Sequence, residues 1–86
     1  MFIGEIYANI SVDEGVVAVS ANVNIPWQSS KLMITNDSTT DDLRLRLKAT
    51  QDEITLKPEE TLTVLFRTRK IVLNGSNTPY RIWALG

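Results

Sequence analysis

The sequence predicts an all-β fold, an antiparallel β-sandwich or small barrel of about seven or eight short strands. Three observations carry that reading. Apolar and polar residues alternate with period two over residues 16–25 and again over 43–49. Turn-forming letters recur between short apolar runs, at Asp13-Glu14-Gly15, Asn36 to Asp42, Lys57-Pro58-Glu59-Glu60 and Asn74-Gly75-Ser76-Asn77. No stretch shows a convincing helical period. The 86 residues make a single domain, because a chain this short has no material for a second core.

Phe2, Ile3, Ile6 and Tyr7 read as a short strand. Ile10 to Gly15 reads as a connection that turns at Asp13-Glu14-Gly15. From Val16 onward, Val17, Val19, Ala21, Val23 and Ile25 share one parity, which predicts a single strand over 16–25. Pro26 ends it, since proline cannot donate a ladder hydrogen bond, and Trp27 is expected to fold back over the core from a corner at residues 27–30.

Lys31 to Asn36 is the next strand, with Leu32 and Ile34 inward, and a polar loop runs to Asp42. Leu43, Leu45, Leu47 and Ala49 then oppose Arg44, Arg46 and Lys48, the pattern of a half-buried antiparallel strand. Residues 53–57 form a short strand. Pro58 takes the second position of a type I turn. From Thr61, the runs at Leu62 to Phe66, Lys70 to Asn74 and Tyr80 to Leu85 read as a three-stranded meander, too apolar to stand without a cover.

Nine cations and ten carboxylates leave a net charge of −1, so no global field draws the chain to nucleic acid or to an anionic membrane. The distribution is uneven. Residues 1–30 carry Glu5, Asp13 and Glu14 and no cation, while every Lys and Arg lies beyond them; the two parts can meet within one subunit or between neighbours. The opening Met-Phe-Ile-Gly-Glu-Ile has neither the basic region nor the apolar run of a signal peptide. No apolar stretch approaches the roughly 20 residues of a membrane helix. A soluble protein made in the cytosol, with no membrane partner, is expected.

With no histidine and no cysteine, the usual triads, thiol nucleophiles and zinc sites are absent from the sequence. Adjacent carboxylates such as Asp52-Glu53 and Glu59-Glu60 point to opposite faces of an extended chain and read as solvated turns. Asp37, Asp41 and Asp42 form an all-oxygen set of the kind a hard cation takes, but the spacing matches no EF-hand and Asx-turn chemistry accounts for the same letters. No enzyme, metal site or cofactor is expected. Arg44, Arg46 and Lys48 form a basic face. With no aromatic residue between them nucleic acid is not the expected partner, and a solvated or subunit-facing role is preferred. Arg67, Arg69 and Lys70 separate two apolar β segments as charged gatekeepers. Residues 1–10 read as an edge strand on their own sheet or as an arm that extends a neighbour's.

Between Lys31 and Gly86 the chain has Met33-Ile34-Thr35-Asn36-Asp37, the alternating leucines, the Lys57-Pro58-Glu59-Glu60 turn, and the closing Tyr80-Arg81-Ile82-Trp83-Ala84-Leu85-Gly86. In these it resembles the carboxy-terminal part of small structural proteins of tailed bacteriophages. Such proteins often have Pro-Gly-Glu at the turn; here Glu59 takes the glycine's place. The resemblance implies a non-enzymatic virion component, assembled in the host cytoplasm. It would be a capsid decoration or cement protein, or a neck or tail accessory, binding major capsid, neck or tail proteins and associating with itself. Candidate contact residues are Phe2, Ile3, Ile6, Tyr7, Trp27, Tyr80, Arg81 and Trp83. The alternative is a small β-barrel module for carbohydrate or single-stranded nucleic acid, for which Trp83 beside Arg81 is the hint.

Overall fold

A computed structural model describes residues 9–48 and 52–86. Those residues contain eight strands and no helix: β1 Ile10–Val17, β2 Ser20–Asn24, β3 Lys31–Asn36, β4 Leu43–Arg46, β5 Ile54–Leu56, β6 Thr61–Val64, β7 Lys70–Asn74 and β8 Thr78–Leu85. They form two four-stranded antiparallel sheets, sheet A in the order β1-β8-β3-β6 and sheet B in the order β2-β7-β4-β5. That pair of orders is the jelly-roll arrangement, a sandwich rather than a closed barrel.

Period-two alternation places Leu32, Ile34 and Ile82 on the inner face of sheet A and Leu43, Leu45, Ile71 and Leu73 on that of sheet B, all of them fully buried. Trp27 packs partly buried against this core, as a lid. Burying such side chains contributes about 1.5–3 kcal/mol each. The expected leucine parity of β4 holds, with Arg44 and Arg46 outside.

Four local expectations are corrected. The alternating run 16–25 is two strands, because the chain passes from sheet A to sheet B at Ala18 and Val19, leaving Val19 74% exposed. The paired segment between β7 and β8 makes the same passage, in the opposite direction, at Gly75 to Asn77. Three residues there face two, a bulge held by Gly75 N–H donating to Val19 O at 3.0 Å and Asn77 N–H to Ala18 O at 3.1 Å. Asn77 takes the left-handed φ of 50° that asparagine tolerates.

Ile10 to Gly15 is strand, not a connection. Gly15 lies opposite Tyr80, whose hydroxyl would stand 3.0 Å from any Cβ at that position, so this glycine leaves room for a ring and makes no turn. The closing meander is also absent: β6 and β8 lie in sheet A with β3 between them, and β7 lies in sheet B. Short connections there cross between sheets, and only β4 and β5 pair as sequence neighbours.

The turn at Lys57 to Glu60 closes with Glu60 N–H donating to Lys57 O at 3.1 Å, but Glu59 has φ 67°. A positive φ at the third position makes it type II rather than type I. Glu59 therefore occupies a site that favours glycine. Partial compensation comes from Glu59 N–H donating to Asn36 O at 3.0 Å and from the Glu60 carboxylate accepting Lys57 N–H at 2.7 Å.

Candidate functional site

In an antiparallel sheet, residues directly opposite share a face, so the register assembles the outer surface of sheet A row by row. Val12 stands beside Trp83, Trp83 beside Met33, and Met33 beside Thr63. One row along, Glu14, Arg81, Thr35 and Thr61 follow one another, with the Thr35 and Thr61 hydroxyls 2.9 Å apart. Ile10 and Val16 lie at the two ends of β1 on the same face.

The edge strand β1 thus has its polarity reversed. Ile10 and Val16 are 63% and 61% exposed, while Ser11, Asp13 and Gly15 face inward. Val12 and Trp83 are exposed, and Leu65 just beyond β6, at 74%, continues the outward parity of Thr61 and Thr63. Among the described residues, five of the six exposed large hydrophobic side chains lie on this one face, Val19 at the corner being the sixth. Exposed apolar residues are ordinary when scattered; gathered on one face, they make that face the candidate contact surface.

One ion pair fixes the polar side of this face. Arg81 reaches Asp37 with two parallel bonds, Nε to Oδ2 at 2.8 Å and a terminal nitrogen to Oδ1 at 2.9 Å. The hydrogen bond to Asp37, then its charge, and to a lesser degree the charge of Glu14, raise the Arg81 pKa above its ordinary value. The guanidinium is a fixed plate beside Trp83 rather than a free cation.

The candidate contact residues separate accordingly. Arg81 and Trp83 lie together on the outer face. Tyr80 does not: it is buried on the inner face, its hydroxyl 3.4 Å from the Asp13 carboxylate. Burial, and then Asp13, raise its pKa. Parity decides this, since Tyr80 and Arg81 are neighbours on an extended strand. Trp27 packs on the core with its ring against Gly86. Phe2, Ile3, Ile6 and Tyr7 lie outside the described residues. Asn9, where that segment ends, exchanges two backbone bonds with Gly86 at 2.8 and 2.9 Å, and Ile10 pairs with Leu85, so the chain is in its own sheet from there on.

No family model, curated protein or solved structure matches this chain.

The basic face is on the opposite side of the molecule. Arg44 lies 3.8 Å from Glu53, itself held by Asn74, and the Lys48 ammonium sits 5.3 Å from the centre of the Phe66 ring. Arg46, Lys48, Lys70, Thr68, Leu47 and Val72 line an open depression of about 170 Å³. Sequence reasoning missed Lys70 and Thr68 here, because sheet pairing rather than proximity in the chain brings β7 beside β4.

The acidic loop has a structural purpose. Asn36, fully buried, donates from its side chain to Asp41 O at 2.8 Å and Leu56 O at 3.0 Å and accepts Ser38 N–H at 2.9 Å. Ser38 Oγ accepts the N–H groups of Thr40 and Asp41. Both Asp37 oxygens serve Arg81. Among the described residues no group of three carboxylates is placed to hold a metal ion.

Proposed function

We propose that this chain is a non-enzymatic structural protein that docks through the outer face of sheet A onto the protein lattice of a virion. The observation that carries the reading is the gathering of Ile10, Val12, Val16, Leu65 and Trp83 on one sheet face. Trp83 is the anchor. A large aromatic ring flanked by aliphatic neighbours and a fixed guanidinium has the makeup of an interface hot spot.

Two further lines support the virion setting. The residues that resemble tailed-phage structural proteins include Arg81 and Trp83, at the middle of this face. The jelly roll also hosts viral capsid domains, though it hosts lectins as well, and this is analogy at the level of fold. Major capsid, neck and tail proteins are the partner classes proposed.

Trp83 beside Arg81 also fits the alternative, a carbohydrate or single-strand module. Sugar recognition needs free hydrogen-bonding groups around the ring, whereas Arg81, Asp37, Thr35 and Thr61 are engaged with one another. Salt-dependent retention on an oligonucleotide column, lost on replacing Arg44 and Arg46, would favour that alternative.

The test is incorporation. Particles purified from cells that carry this gene are analysed by mass spectrometry, and the chain is expected at a fixed copy number. A Val12→Lys/Trp83→Glu chain supplied in its place is expected to fold and to be missing from the particles. Particles that lack the wild-type chain would overturn the proposal.

A further inference from the structure

Among the described residues, sheet A has two unpaired edges, β1 and β6, and every neighbouring pair within it is antiparallel. With four alternating strands the two edges run in opposite directions. An identical copy placed alongside in the same orientation therefore brings its β6 antiparallel to β1 of the first. We propose that copies of this chain join head to tail in this way, β1 of one pairing with β6 of the next.

Charge selects that join over the others. β1 carries Asp13 and Glu14 and no cation, whereas Thr61 to Arg69 carries Arg67 and Arg69 and no carboxylate. Two β1 strands side by side would set carboxylates against carboxylates, and like charges across a strand pair are destabilising. The charges that oppose a homotypic contact admit the basic edge. Arg67 is available for it. Among the described residues it makes no ion pair, while Arg69 donates to Pro26 O at 2.9 Å.

The edge on the β6 side extends past Val64. Ser29 N–H donates to Thr68 O at 2.9 Å, its hydroxyl donates to Phe66 O at 2.6 Å, and the same oxygen accepts Thr68 N–H at 3.1 Å. Ser29 thereby continues the β3 side of the ladder and holds residues 66–68 in line with β6. The register that sets Leu65 opposite Glu14 of the neighbour places Leu65 diagonally between Val12 and Val16, covering the most exposed side chain of the face. Arg67 then lies opposite Val12 and diagonal to Glu14, within reach of two long side chains.

The contact is heterologous, so it generates rings or open rows, and each join carries the apolar outer face on into the next copy. This deepens the docking proposal by naming a second copy as a partner. It stands on the sheet edges, whereas the docking proposal stands on the sheet face, so either can fail alone.

Mass measurement in solution across a concentration series tests it on the full chain. Wild type is expected to assemble in steps of one subunit. Arg67→Glu and Glu14→Lys are each expected to raise the concentration for half-assembly at least tenfold. An equimolar mixture of the two is expected to restore assembly, because the altered edges attract one another and the unaltered edges meet as in wild type. Arg67 is exposed and, among the described residues, makes no ion pair, so its variant is expected to fold as wild type does, which thermal unfolding verifies. A wild-type monomer at every concentration, assembly unchanged in Arg67→Glu, or a mixture no better than either variant would overturn the join. Assembly lost in Trp83→Glu but kept in Arg67→Glu would overturn it too, placing self-contact on the outer face.

Discussion

Asn36→Ala is the perturbation that most severely tests how this small sandwich is held. Asn36 has no exposed surface, and its side chain makes three hydrogen bonds, to Asp41 O, Leu56 O and Ser38 N–H. Two of these tie the acidic loop to β3, and the third ties β3 of sheet A to β5 of sheet B. Each bond contributes about 1 kcal/mol net, and each buried partner left unsatisfied costs about 1–3 kcal/mol. Water entering the vacated space would satisfy some of them, which sets the expected loss at about 3–5 kcal/mol. A chain of this length has a total stability of about 4–13 kcal/mol at ordinary values per residue. The substitution should therefore remove a large share of it, lowering the melting temperature by at least about 12 °C at about 4–8 °C per kcal/mol. Urea unfolding with an unchanged m-value would measure the loss directly. A loss below about 1 kcal/mol would refute the claim that this network joins loop and sheets.

Other expectations follow from single contacts. Glu59→Gly removes the cost of a left-handed non-glycine residue, about 1–2 kcal/mol, against a chain-entropy loss of about 0.4–1 kcal/mol, so thermal unfolding should show a net gain of about 0.5–1 kcal/mol. Gly15→Ala forces a Cβ to within 3.0 Å of the Tyr80 hydroxyl and should destabilise by about 1–3 kcal/mol. Tyr80→Phe should relieve part of that cost, read as a coupling in a double-mutant cycle. Because the folded-state pKa of Tyr80 is raised above its ordinary 10.0, the unfolded chain loses this proton first; stability should hold below that pH and fall as pH rises beyond it. Tyr80→Phe should flatten the alkaline fall in a series of urea titrations.

Much of the fold is legible because burial follows parity. The leucines of β4, Leu32 and Ile34 of β3, and the turn at Pro58 are placed by local rules alone. What the alternation cannot show is a change of sheet. From Val17 to Ile25 the apolar parity is kept, with Val17, Val23 and Ile25 all buried, yet the chain turns a corner between them and Val19 alone falls outside. A strand with reversed polarity is equally hidden. Asp13-Glu14-Gly15 reads as a turn because two charges and a glycine are turn letters, but Gly15 answers to the Tyr80 ring, and β1 turns Ile10, Val12 and Val16 away from the core. Of the candidate contact residues, Arg81 and Trp83 share an outward parity that the sequence alone shows, Tyr80 lies on the opposite parity, and Val12, Met33 and Leu65 come beside them only through strand register.

Oxidative footprinting of Trp83 tests the central claim most directly. Trp83 is 41% exposed in the isolated chain, and the partly buried Trp27 supplies an internal reference. On assembled particles, Trp83 oxidation should fall several-fold relative to Trp27. Equal oxidation of Trp83 in the free chain and on the particle would contradict docking through the outer face of sheet A.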